Sequence, residues 1–140
     1  MHSTLRRYGY FDDERIALVP GFFNVSLPAA PIRQLALVHI DADAYESVKD
    51  ALEALYPKLV PGGHVVIDDF HLPGVRAAVH EYRAAHRVSE SLLPVPTDYV
   101  TTCAPDWAAQ RTYAKLFNIQ PLMAAYWTKA PALQRVPWRS

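Results

Sequence analysis

Four aspartates stand in two close pairs: Asp41 and Asp43 in "HIDADAY", Asp68 and Asp69 in "VVIDDF". Each pair follows a short apolar run of the kind that forms a buried strand. Neighbouring carboxylates repel, and burial makes their ionised forms costly unless something positive lies between them. Either the strands simply emerge into water at these points, or the carboxylates hold a cation. An all-oxygen donor set would favour Mg²⁺, Mn²⁺ or Ca²⁺ over zinc. His71 stands two positions beyond Asp69, as a ligand, a base or an exposed loop residue. His39 and His64 are single histidines in strand contexts, with no metal-ligand spacing between them.

The elements that must position these residues alternate in type. "RIALVPG" (Arg15–Gly21) is a short β-prone run closed by Pro and Gly, and reads as a strand. "LPAAPIRQ", with Pro28 and Pro31, reads as a loop. "LALVHI" is apolar on both faces, as strands covered on two sides are. In "YESVKDALEALYPKL" the period changes: Tyr45, Val48, Leu52, Leu55 and Leu59 recur at three and four, the mark of an amphipathic helix. "VPGG" breaks it before the strand "HVVID", and "LPGVRAAVHEYRAAH" restores the helical period after Pro73.

Strand, helix, strand, helix predicts an α/β fold with parallel strands and crossover helices. "LLPVPTDYVTTCA" and "PLMAAYWTK" read as a closing pair of strands, separated by "PDWAAQRTYAKLFNIQ". In such sheets ligands bind beyond the carboxyl ends of the strands. Both acidic pairs fall there, on strands about 4.8 Å apart if they are neighbours.

Composition narrows the function. With 140 residues, 51% of them hydrophobic, the chain suits one domain with a real core. Lys+Arg and Asp+Glu both number 14, so the basic footprint of a nucleic-acid binder is missing. No apolar run approaches membrane-spanning length, and "MHSTLRRYGYFDDER" lacks the apolar centre of a secretory signal, so the expected location is cytoplasmic. The single cysteine, Cys103, reads as a small core residue. No glycine falls in a G-x-G-x-x-G or phosphate-loop pattern.

Several chemistries use paired acids of this kind. "DADAY" superficially resembles the nucleophile motif of haloacid-dehalogenase-type phosphatases. Those enzymes leave more chain before their second acidic pair than the 27 positions from Asp41 to Asp68. A metal-dependent glycosyltransferase could also use D-x-D, with little else here to support a sugar-nucleotide site.

The stretch "LALVHIDADAYESVKDALEALYPKLVPGGHVVIDDFHLPGVRAAVHEYRAAH" closely resembles the macrocin O-methyltransferase family. These are S-adenosylmethionine- and Mg²⁺-dependent enzymes that methylate sugar hydroxyls of macrolide and aminocoumarin antibiotics. D-x-D-x-Y-E-S, P-K-L-x-P-G-G and I-D-D at this spacing carry the resemblance, which runs from about "LRRYGYFDDERIALVPGFF" through Arg83 and returns at "AAYWTK". It implies a partial Rossmann-like class I methyltransferase sheet ending in an antiparallel strand pair. By position, Asp41, Asp68 and Asp69 match the metal ligands and Asp43 the general base. Gly21, Phe22 and Asp41 match positions near the S-adenosylmethionine cofactor. Ala44 and Val48 depart from the commoner Leu/Met and Thr, changes of packing rather than chemistry.

Family members are longer at the amino end, where they carry two further strands and a Gly-rich cofactor turn. The resemblance therefore implies one truncated domain over residues 1–140, the carboxyl-terminal half of the family's fold. Two functions stay open: an O-methyltransferase acting on a glycoside, its sheet completed by a partner chain, or a non-catalytic metal-binding or interaction fragment. In the family "RIALVPG" does not touch "LALVHI". Without the intervening strands the apolar "LALVHI" edge is expected either to take in "RIALVPG" or to be buried by a second copy.

Overall fold

The structure is a computed structural model that describes residues 16–95 and 124–130, together with Arg7. The elements are α1 (Phe23–Ala29), β1 (Leu35–Ile40), α2 (Tyr45–Leu55), a 3₁₀ turn (Tyr56–Lys58), β2 (Leu59–Ile67), α3 (Pro73–Ala85), β3 (Leu93–Pro94) and β4 (Ala125–Thr128). They form a four-stranded mixed sheet in the order β1-β2-β4-β3. β1 and β2 are parallel, and β4 runs antiparallel to both β2 and β3. The closing antiparallel pair matches the sequence expectation. "PDWAAQRTYAKLFNIQ" and Cys103 lie outside the described residues.

Apolar spacing determines how the helices pack. α2 buries Val48, Ala51 and Leu52, and α3 buries Val75, Ala78, Val79 and Tyr82, the three-and-four pattern of a single buried stripe. Pro73 opens α3 at a position where its missing N–H costs nothing. The two stripes meet each other and the inward face of the sheet, formed by Val38, Ile40, Leu59, Val65, Ile67, Ala125 and Trp127. Each fully buried Leu, Ile or Val contributes about 1.5–3 kcal/mol. Trp127, wholly buried, lies against Tyr56 at 6.1 Å between ring centres, with the Arg83 guanidinium 4.9 Å from its ring.

The structure corrects four sequence expectations. Residues 16–20 of "RIALVPG" form no strand and are exposed; among the described residues nothing pairs with the outer edge of β1. A short strand without a partner has no ladder hydrogen bonds to hold it. "RIALVPG" therefore does not move in beside "LALVHI". The supposed loop at "LPAAPIRQ" is partly helical, because α1 ends there with Pro28 in its last turn. Pro28 has no N–H to give back along the helix, and the chain leaves it two residues later.

β1 is covered on one face only: Val38 and Ile40 are buried, whereas Leu37 is 55% exposed and His39 is exposed. Finally, "VPGG" does not interrupt the chain but belongs to β2. Leu35 pairs with Leu59 and Leu37 with His64, so β2 carries three extra residues in between. Gly62 N–H donates to Lys129 O, and Lys129 N–H donates to Gly63 O, both at 2.8 Å. This bulge is therefore clamped to the chain just after β4.

Gly63 has no room for a side chain. A Cβ there would lie 2.7 Å from Leu59 Cδ1 and 2.9 Å from both Leu59 Cγ and Val60 O. Leu59 is buried and cannot retreat. Gly63→Ala is expected to destabilise the fold by about 1–3 kcal/mol, seen as a lower urea midpoint. Gly62, at φ +81° with open space around it, is expected to lose about 1 kcal/mol on change to Ala from backbone strain alone. A Gly63→Ala midpoint equal to wild type would show that Leu59 can give way.

Candidate functional site

The carboxyl ends of β1 and β2 deliver the acidic residues to one place. Ile40 pairs with Ile67, and Asp68 N–H donates to Ile40 O at 2.9 Å, so Asp41 and Asp68 leave the sheet side by side. The chain then turns sharply. Asp69 adopts φ +50°, a left-handed conformation that aspartate tolerates better than most residues. Its N–H donates to Asp68 Oδ1 at 2.9 Å, and its carbonyl accepts the Leu72 N–H at 2.8 Å.

Phe70, only 4% exposed, drops back into the core beside His80. Buried Ile67 and Phe70 thus bracket the acidic pair, which stays at the rim. That arrangement explains how a buried strand can end in two charges: the backbone there is held by its apolar neighbours, and the carboxylates remain partly solvated.

Asp43 reaches the same point from the β1–α2 turn. The Asp69 carboxyl is raised above its ordinary range, first by burial, then by the Asp68 carboxylate, and then by hydrogen bonding and charge repulsion from Asp43; His71 pulls the other way. Two histidines flank the acids. His39 Nε2 lies 3.9 Å from Asp68 Oδ2, and His71 Nδ1 lies 3.8 Å from Asp69 Oδ1. His71 is not the exposed loop residue that the sequence allows for, because its side chain is 19% exposed.

Sequence reading gave His39 no role. Only the strand register brings it to the acids: His39 pairs with Val66, and Asp68 follows Val66 on the same face.

The predicted site residues divide into two groups. Asp43, Asp68 and Asp69 are brought together, with Asp41 beside Asp68 through the strand register. Gly21 and Phe22 lie at the start of α1. Phe22 is its N-cap, 85% exposed, and Ser26 Oγ donates to Phe22 O at 2.9 Å. Gly21, at φ +129°, makes the entry into that helix.

Among the described residues no three His, Cys, Asp or Glu side chains are gathered into a ready metal-binding group. The donor chemistry nonetheless suits a hard divalent cation: oxygen donors crowded at one rim, one of them held back from ionisation first by burial and then by its negative neighbours. Such a cation would relieve the part of that shift that comes from repulsion by Asp68 and Asp43. The described helices include none long and apolar enough to cross a membrane.

A match to the macrocin-O-methyltransferase (TylF) family extends over residues 1–102. The tetracenomycin-pathway relative named 8-demethyl-8-(2,3-dimethoxy-alpha-L-rhamnosyl)-tetracenomycin-C 4'-O-methyltransferase, from Streptomyces olivaceus, is 44% identical over 66% of this chain and 35% of its own length. Mycinamicin III 3''-O-methyltransferase from Micromonospora griseorubida is 42% identical over 68% of this chain and 37% of its own. Demethyldecarbamoylnovobiocin O-methyltransferase from Streptomyces niveus is 43% identical over 71% and 38%. The chain thus spans little more than a third of the length of these relatives.

Among solved structures, the O-methyltransferase NovP superposes with a TM-score of 0.69 at 31% identity, over 92% of this chain and 43% of that one. CalS11, a TDP-rhamnose 3'-O-methyltransferase, shares the fold with a TM-score of 0.56 at 23% identity, over 86% of this chain and 44% of that one.

The raised Asp69 carboxyl makes a pH-dependent prediction. Its folded value lies above its unfolded one, so holding it ionised at neutral pH opposes folding, and protonation favours folding. Asp69→Asn removes that opposition and keeps a residue suited to positive φ. Without divalent cations, the variant is expected to melt above wild type at about pH 7, and the advantage should fade as the pH falls toward about 3. A gap that stays constant across that range would rule out the electrostatic cause.

Proposed function

Because the chain belongs to the macrocin-O-methyltransferase family, we propose that it carries the metal-binding and catalytic portion of an S-adenosylmethionine-dependent O-methyltransferase. The substrate class is a sugar hydroxyl of a glycosylated natural product, since the tetracenomycin relative is named as a 4'-O-methyltransferase of a rhamnosyl compound. The observation that carries this reading is the meeting of the D-x-D and I-D-D residues at two adjacent parallel strand ends.

In this reading Asp41, Asp68 and Asp69 hold Mg²⁺, and Gly21 and Phe22, with Asp41, border S-adenosylmethionine. When bound, the cation makes a coordinated hydroxyl easier to deprotonate and the cofactor supplies the methyl group. Asp43 takes the hydroxyl proton. It stands two positions past Asp41 on a turn rather than a strand, so it can face a substrate while Asp41 faces the metal. Anchoring by Ile67, Phe70 and the Asp69–Leu72 turn fixes the acidic rim, and positioning of this kind supplies much of the acceleration in transfer reactions. The remainder of the sheet, beyond the outer edge of β1, is supplied by further polypeptide or by a second copy.

Calorimetric titration with Mn²⁺ and Mg²⁺ tests the metal assignment. Asp68→Ala is expected to weaken binding by about tenfold or more, and Asp43→Asn is expected to leave it nearly unchanged while removing most methyl transfer. Coincident titrations of wild type and Asp68→Ala would dismiss the metal site. A large loss of metal affinity in Asp43→Asn would move that residue from base to ligand.

A further inference from the structure

His71 occupies an unusual position for a histidine outside the acidic motif. The Asp69–Leu72 turn folds it back over the acidic rim, and its Nδ1 is buried without a hydrogen-bond partner among the described residues. A buried ring nitrogen without a partner loses its hydration and gains nothing in exchange. Asp69 Oδ1 lies 3.8 Å from it. Closing that gap to ordinary hydrogen-bond length, about 2.9 Å, takes a small movement of the ring.

Resting on the metal reading above, we propose that His71 is the positioning residue for Asp69: its Nδ1–H donates to the Asp69 carboxylate and aims it at the cation. The physical need is specific. Asp69 sits at positive φ in a tight turn, with the orphaned His71 Nδ1 3.8 Å from its Oδ1. A ring N–H donated to one carboxylate oxygen holds that carboxylate in a single orientation. A carboxylate that gives one oxygen to a metal keeps the other free to accept such a bond, and partners of this kind tune metal affinity by about 10–100-fold. Histidine on this turn acts through Asp69 and touches neither substrate nor metal.

The donor atom can be tested by geometry. The side-chain nitrogen of Asn can take the place of Nδ1, whereas that of Gln reaches toward Nε2. Mn²⁺ is titrated into the wild-type chain and into the His71→Ala, His71→Asn, His71→Gln and Asp68→Ala variants, followed by calorimetry and by Mn²⁺ electron paramagnetic resonance. His71→Ala and His71→Gln are expected to bind about tenfold more weakly or worse, and His71→Asn to restore wild-type affinity. Melting curves without cation identify any variant that has lost its fold, and the Asn–Gln comparison holds even if the Ala variant has.

Equal behaviour of the Asn and Gln variants overturns the inference, as does wild-type affinity in His71→Ala. If wild type and Asp68→Ala titrate alike, the metal reading itself falls, and this inference with it. If Asp68→Ala loses binding while every His71 variant keeps it, only the role of His71 falls.

Discussion

Where Ile40 lies beside Ile67, two uncharged strand interiors end at the same height and hand their next residues to solvent together. The hydrogen bond from Asp68 N–H to Ile40 O extends the ladder one step past the buried pair. Every acidic residue of the candidate site depends on that register. A slip of one position would turn the alternating side chains of one strand to the opposite face and send Asp68 away from Asp41. The register is well fixed, because Val38, Ile40, Val65 and Ile67 must all face the helices at once.

Repulsion among the carboxylates is the cost of that arrangement, and the surroundings offset it in separate ways. Phe70 and Ile67 bury apolar surface on both sides of the pair, so the turn stays in place although its charges disfavour each other. Asp69 N–H donates to Asp68 Oδ1, and ring nitrogens of His39 and His71 lie 3.9 Å from Asp68 Oδ2 and 3.8 Å from Asp69 Oδ1. A cation at this rim, as proposed above, would offset the repulsion that remains.

The same sheet is asymmetric. Helices α2 and α3 cover one face, with Trp127 at its centre, while Leu37, His39 and His64 stand exposed on the other. Parallel strands are normally buried on both faces. The relatives are about two and a half times or more as long as the stretch that matches, and among the described residues nothing pairs with the outer edge of β1. The core nonetheless holds together around α2, α3 and the inward faces of β1, β2 and β4. That is why the acidic rim is well defined on this portion of the fold.

Local pattern alone determined a good part of this protein. The two amphipathic helices, both central strands and the two acidic pairs are legible in "LALVHIDADAYESV" and "HVVIDDFHLPGV", because period and punctuation are properties of neighbouring residues. What the sequence left undecided depends on residues far apart in the chain. Residues 16–20 of "RIALVPG" have the composition of a strand but no partner among the described residues, and form none. "VPGG" has the composition of a turn but is clamped by Lys129, about seventy residues on, so it belongs to a strand. The apolar odd positions of β1 look buried, yet burial requires a covering layer that strand composition cannot supply. His39 and His71 approach the acids through strand pairing and a folded-back turn, neither of which is written at their own positions. Side-chain type is fixed residue by residue; which carboxylate meets which histidine is fixed only when backbone hydrogen bonds choose a register and a packed core holds it.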